Sequence, residues 1–172
     1  MVNLKSGGTV SDFFKELMDS IVDSQNVPKV QVERSISPIL GMFIESIVEE
    51  HLEGEDKYRI VSEEFPLRVE GSLRSTNVDW LLVNEKKDRL VLVELKTCGS
   101  SYRAKQLERY TELQEQIENG DSGVVLREDL NKIWKAGGSK ERSLKYERLV
   151  EAFDERIGSP PKIESAAIVY IV

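Results

Sequence analysis

Apolar and polar positions along the chain follow a helical period in some stretches and a strand period in others. Apolar side chains at helical spacing, together with one long charged amphipathic stretch, predict helices over residues 10–22, 38–52, 101–118 and 139–157. Apolar runs bounded by turn residues predict strands over residues 58–69, 78–83, 89–97 and 165–172. Residues 121–138 fit a short strand at 124–126, a helix around 129–135, or both.

The order of these elements predicts an α/β sandwich. The path from strand 89–97 through helix 101–118 to strand 165–172 is typical of a crossover between parallel neighbours. We therefore expect a small mixed central sheet flanked by helices. A helical insertion over 120–160 precedes the last strand, whose apolar run SAAIVYIV favours a place inside the sheet. We expect one domain over 1–172, with 1–34 as an N-terminal helical extension.

Composition narrows the class of protein. The chain has 172 residues, 40% hydrophobic and 32% charged, which is typical of one soluble domain. No apolar run is long enough to cross a bilayer and the start has no signal-peptide core, so we expect a cytoplasmic protein with no membrane partner. Cys98 is the only cysteine and His51 the only histidine, which excludes an internal disulfide, a cysteine zinc cluster and a histidine-dependent triad.

Three charged residues stand inside otherwise apolar strands: Asp79, Glu94 and Lys96. Buried charges are costly unless they are paired or bind an ion. Glu94 and Lys96 are two apart and share a face, and Asp79 joins them if the hairpin register places it opposite Glu94. Facing carboxylates are reconciled by a cation that prefers oxygen ligands, such as Mg²⁺ or Mn²⁺. With a lysine beside them, these groups suit hydrolysis of a phosphodiester.

A family resemblance rests on these residues and on the helix after them. Asp79, the triplet Glu94-Leu95-Lys96 and the αβββαβ order resemble the PD-(D/E)XK nuclease superfamily. Gln106-Leu-Glu-Arg-Tyr110 looks like the QxxxY motif of its RecB-type branch. Glu94-x-Lys96 alone is typical of a solvated strand face, so the prediction depends on the combination.

The resemblance implies a restriction-endonuclease-like fold and a Mg²⁺- or Mn²⁺-dependent nuclease acting on DNA. Metal would be held by Asp79, Glu94 and the Leu95 carbonyl, while Lys96 would serve the attacking water. The catalytic residues further include Gln106 and Tyr110. An acid of the early helix would complete both the catalytic set and the metal site, with Glu45 as the first choice and Glu49 as the second.

Partners are less well defined by the sequence. The net charge of −7 argues against a large nucleic-acid footprint. Candidate phosphate contacts are Arg103, Lys105, Arg109, Lys135, Lys140 and Arg142. The last three lie in a segment that also suits a salt-bridged solvent helix. A module that binds nucleic acid or protein without cleaving is the alternative function, and exo- versus endonuclease action, DNA versus RNA, and homo-oligomer or partner protein stay open.

Overall fold

The computed structural model describes residues 39–52, 54–68, 75–96, 104–121, 123–136 and 140–171. Their helices are α1 (Ile44–His51), α2 (Ala104–Gln116), α3 (Val124–Lys135) and α4 (Lys140–Arg156). Their strands are β1 (Tyr58–Arg68), β2 (Ser75–Asn84), β3 (Arg89–Leu95) and β4 (Ser165–Ile171). The helix predicted over 10–22 and the residue Cys98 lie outside the described residues.

The strands form one mixed sheet in the order β1-β2-β3-β4. β1 with β2 and β2 with β3 are antiparallel, while β3 and β4 are parallel. This confirms the predicted mixed sheet and the crossover between parallel neighbours. The expectation that the last strand is internal is wrong for the described strands, because β4 pairs only with β3. Its apolar sequence has another cause: Ala166 and Val169 pack into the cores on opposite faces of the sheet.

Helices cover both faces of the sheet. The face that we call the α2 face carries a core to which β2, β3, α2, α3 and α4 contribute, with Leu81, Leu92, Leu113, Leu130 and Phe153 among its buried residues. The opposite face, here the α1 face, packs Ile44 and Val48 against Trp80, Leu82 and Val93. No helix in the described ranges is both long and apolar enough to span a membrane.

The helix predicted over 38–52 is interrupted. The amides of Met42 and Phe43 donate to carbonyls three residues earlier, at 3.2 and 2.8 Å, so the turn tightens before α1 begins. Gly41 lies in this turn, where a Cβ would stand 2.8 Å from Glu63 Oε1 and force it to move. The side chain of Met42, in this turn, is exposed.

The segment that the sequence left ambiguous is helical. α2 ends at Gln116 and runs into a wider turn over Ile117–Asp121, in which Gly120 has φ 101°. This agrees with the end of the helix predicted over 101–118, since glycine reaches the left-handed region without a Cβ clash. α3 then starts at Val124, and Leu126 lies in the core of the α2 face, so the short strand considered for 124–126 does not form.

Candidate active site

The β2–β3 hairpin brings its two acids to the same place. Trp80 pairs with Val93, and one step further the same register brings Asp79 opposite Glu94. The ladder opens there, and Asp79 Oδ2 accepts a hydrogen bond of 2.7 Å from the Leu95 amide. In an extended strand the amide and carbonyl of one residue point the same way. We therefore expect the Leu95 carbonyl on the Asp79 side of β3.

Asp79 stands where the strand alternation is reversed. Val78 belongs to the core of the α2 face, but Trp80, two residues on, belongs to that of the α1 face. Across the ladder, Glu64 has φ 47°, a left-handed conformation that costs a non-glycine residue about 1–2 kcal/mol. Strain of this kind tends to collect at functional sites. The strained conformation of Glu64 lies across the ladder from Asp79, whose carboxylate accepts from the Leu95 amide of β3.

Glu94 lies at the centre of a buried polar group. It points to the α2 face, as the neighbouring Leu92 does, and is only 5% exposed. Its Oε1 accepts from Lys96 Nζ at 2.7 Å and from Gln106 Nε2 at 2.9 Å. Its Oε2 accepts from the Tyr110 hydroxyl at 2.7 Å. The structure thus joins four of the sequence-predicted residues directly through one carboxylate.

α2 delivers its motif as one unit, because positions i and i+4 share a helix face. Gln106 Nε2 donates to the Tyr110 hydroxyl at 2.7 Å. The Asn77 carbonyl lies 3.2 Å from Gln106 Nε2 and 3.3 Å from the Tyr110 hydroxyl, whose single proton serves the shorter bond to Glu94. Burial, reinforced by the Glu94 carboxylate, raises the pKa of Tyr110 far above its usual value, so its hydroxyl remains a donor. Sequence reasoning missed the Asn77 carbonyl, since a backbone contact leaves no signal in residue type.

The oxygen donors of this group suit a hard divalent cation. The Asp79 and Glu94 carboxylates and the Leu95 carbonyl are ligand types that Mg²⁺ and Mn²⁺ prefer, with waters completing the shell. Among the residues that the structure describes, no group of three or more histidine, cysteine, aspartate or glutamate side chains could hold a metal ion. The Lys96 ammonium is the present counter-charge of Glu94, so it would compete with a divalent cation for Oε1.

The early-helix acids are not brought to this group, which corrects the expectation for Glu45. Its helix α1 packs on the α1 face, whereas Glu94 points to the α2 face. Glu45 Oε1 accepts from the Ile60 amide at 2.9 Å. Glu49, the second choice, accepts from the Tyr58 amide at 3.1 Å and from Lys57 at 2.7 Å. Both carboxylates satisfy amides of β1 instead.

Arg109 does not contact solvent as a phosphate ligand would, which corrects a second expectation. It is 5% exposed, and its Nη2 donates to Asp129 Oδ2 at 3.1 Å. Its Nε donates to the Arg68 carbonyl at 2.6 Å. Because these partners already use the guanidinium, Arg109 has an internal role.

The other basic residues have different outcomes. Lys105 is exposed in the first turn of α2, and Lys135 is exposed in the last turn of α3. Lys140 and Arg142 belong to α4, but their side chains are not among those described, and Arg103 lies outside the described residues. Phosphate contact by these residues stays a prediction, with Lys105 the nearest along the chain to Gln106.

Comparisons with protein-family models, with curated proteins and with solved structures gave no match for this chain. A function must therefore be argued from the side chains around Glu94 and from their chemistry.

Proposed function

We propose that the chain has a restriction-endonuclease-like fold of the PD-(D/E)XK type and hydrolyses phosphodiester bonds of DNA with Mg²⁺ or Mn²⁺. One observation carries this proposal: Asp79 accepts from the Leu95 amide at the open end of the β2–β3 ladder, and the adjacent Glu94 is bonded to Lys96, Gln106 and Tyr110. A solvated strand face would leave Glu94 and Lys96 exposed, but both are buried. Because burying charges is costly, the burial of Glu94 and Lys96 favours a functional role for them.

Each residue has a separate task in the proposed reaction. Asp79, Glu94 and the Leu95 carbonyl would hold the metal. When bound, the metal supplies an activated water and neutralises charge on the phosphate. Lys96 orients the attacking water and stabilises negative charge that develops on the scissile phosphate. Its short contact with Glu94 keeps the ammonium beside the reacting centre.

Gln106 and Tyr110 hold Glu94 in the orientation that its task requires. Each donates to a different Glu94 oxygen, and both lie close to the Asn77 carbonyl, at 3.2 and 3.3 Å. A carboxylate held at both oxygens loses its freedom to rotate, which lowers the entropy that ordering the site would otherwise cost.

A second function is favoured by a specific observation. Glu94 already has donors on both oxygens, and the described residues contain no three-acid metal group. This suits a module of the same fold that binds nucleic acid or protein without cleaving it. An intact aspartate, glutamate and lysine set counts against this alternative.

The two functions are separated by incubating the protein with single- and double-stranded DNA in Mn²⁺ and again in EDTA. The nuclease proposal expects products in Mn²⁺ that disappear in EDTA and in Glu94→Ala. The matched control is Glu85→Ala, since Glu85 is an exposed acid at the hairpin turn, and it should cleave normally. Cleavage that survives in Glu94→Ala would refute the proposed site. Failure to cleave any DNA or RNA would support the non-cleaving module.

A further inference from the structure

A buried ion pair beside the candidate site joins α2 to α3. Arg109 lies next to Tyr110 on α2, and Asp129 lies in the middle of α3. Their charged atoms are 3.1 Å apart, and the side chains are 5% and 8% exposed. Glu112 and Gln116 stand further from the same guanidinium, at 3.7 and 3.5 Å. Asp129 is therefore the only buried carboxylate among the described partners of Arg109.

Burial of this pair carries a desolvation cost. Burial raises the pKa of Asp129 above its usual value, despite the opposing effect of Arg109, Lys132 and Arg68. Desolvation thus outweighs the attraction of three cations. Buried ion pairs are often no more stabilising than apolar residues of the same volume. A role in fixing geometry is the better explanation.

The pair fixes the position of α2 against the sheet. Arg109 and Tyr110 follow Gln106 by three and four residues, so both neighbour Gln106 on the same side of the helix. Arg109 is tied to the last residue of β1 through the Arg68 carbonyl. Gln106 Nε2 and the Tyr110 hydroxyl contact the Asn77 carbonyl of β2, at 3.2 and 3.3 Å.

These anchors belong to one ladder. Arg68 pairs with Ser75, and Pro66 pairs with Asn77. Arg109 therefore contacts the β1–β2 ladder two positions from the point that Gln106 and Tyr110 contact. A shift of Arg109 would carry both of those side chains with it, because an α-helix moves as a rigid element.

We propose that the ion pair between Asp129 and Arg109 positions α2 so that Tyr110 and Gln106 donate hydrogen bonds to Glu94. Arg109 and Asp129 are positioning residues, and they make the insertion helix α3 part of the site. Their effect on catalysis rests on the proposed nuclease function, but their effect on Tyr110 does not. Loss of the pair should weaken Mn²⁺ binding or lower kcat by roughly 10- to 100-fold, with little change in KM for DNA. Residues that orient metal ligands without touching the metal have effects of this size.

The experiment observes Tyr110 directly in protein carrying ¹³C-labelled tyrosine, without metal or DNA. The Tyr110 ring resonance is assigned by its absence from Tyr110→Phe. Asp129→Asn and Arg109→Lys are compared with Asp154→Asn. That control breaks the Arg127–Asp154 ion pair, which also ties α3 to a neighbouring helix, with contacts of 2.7 Å, but does not touch α2. Thermal unfolding shows which variants are folded at the temperature of measurement.

The proposal expects the Tyr110 resonance to shift in Asp129→Asn and Arg109→Lys and to stay in place in Asp154→Asn. It is overturned if neither pair variant moves the resonance, or if Asp154→Asn moves it equally. Should Asp129→Asn fail to fold, Arg109→Lys decides; if neither folds, the pair is a stability element and the proposal fails. If the pair variants shift the resonance while the wild-type protein neither binds Mn²⁺ nor cleaves, only the proposed function is refuted.

Discussion

Lys96 shows how strongly one residue depends on its surroundings. Its ammonium lies 2.7 Å from Glu94 Oε1, and both side chains are 7% exposed. In water such a pair would contribute little, but in a buried setting each charge governs what else can bind. A cation that approaches Glu94 meets the repulsion of Lys96 as well as the attraction of two carboxylates.

We therefore expect Lys96→Met to bind Mn²⁺ roughly 10-fold more tightly while cleavage is lost, because a competing positive charge has been removed. Electron paramagnetic resonance of free Mn²⁺ measures the affinity, and a DNA cleavage assay measures the activity. Lys87→Met is the control, since Lys87 is an exposed lysine whose ammonium bonds to a carbonyl of Glu155. Weaker Mn²⁺ binding by Lys96→Met would show that Lys96 does not compete for the site.

Elements, rather than residues, decide which acids can cooperate. α1 and α2 pack on opposite faces of the sheet, so the acids of α1 and the motif of α2 are separated by β-strands. Glu45 and Glu49 bond instead to the amides of Ile60 and Tyr58 on β1. Side-chain acceptors on such amides also block unwanted strand pairing.

For that reason Glu45→Gln should retain full cleavage activity, since an amide oxygen can still accept from Ile60. Glu45→Ala should lower the free energy of unfolding by about 1 kcal/mol, the usual net value of one hydrogen bond. Urea unfolding and cleavage rates in Mn²⁺ test both variants. Loss of activity in Glu45→Gln at unchanged stability would restore Glu45 to the metal site.

The left-handed conformation of Glu64 interrupts the regular geometry of β1. Glu64 holds φ 47° opposite Asp79, and its exposed side chain meets Lys145 only at 3.9 Å. Glu64→Gly should therefore stay within about 1 kcal/mol of wild type, because glycine reaches this region freely.

In Glu64→Val the β-branched side chain opposes the same conformation, and the free energy of unfolding should fall by about 1–2 kcal/mol. Val is favoured in ordinary strand positions, so Glu63→Val, at the exposed neighbouring position, is the control. Equal stability of Glu64→Val and Glu63→Val in urea would contradict the proposed strain at Glu64.

At the scale of the whole molecule, charge limits how the protein could hold DNA. The net charge is −7, so attraction must come from a few local cations. Lys105, exposed at the start of α2, is the best placed among the side chains that the structure describes.

We expect few phosphate contacts and hence a shallow salt dependence, with log KM against log salt rising with a slope between about 2 and 4. Lys105→Ala should lower that slope by about 1 and raise KM without changing kcat. Steady-state cleavage at several salt concentrations measures both. A slope that is unchanged in Lys105→Ala would place the DNA elsewhere on the surface.

Local patterns were sufficient for most of the elements. The four strands, the parallel crossover and the end of α2 before Gly120 follow from side-chain periodicity and from glycine conformation, which act between near neighbours. The same patterns could not reveal the tightened turn at Met42 or the edge position of β4, because both depend on contacts distant in sequence. A continuous apolar strand signals two covered faces, and does not distinguish an edge from a centre.

The sequence by itself determined which groups could do chemistry: Asp79, Glu94 and Lys96 are charges in apolar strands, and Gln106 and Tyr110 share a helix face. Only the tertiary structure decided which groups surround these side chains. It places Glu45 against β1, buries Arg109 beside Asp129 and brings the Asn77 carbonyl next to Gln106 and Tyr110. The physical reason is that periodicity fixes the face on which a side chain lies, whereas the packing of whole elements fixes what that face meets.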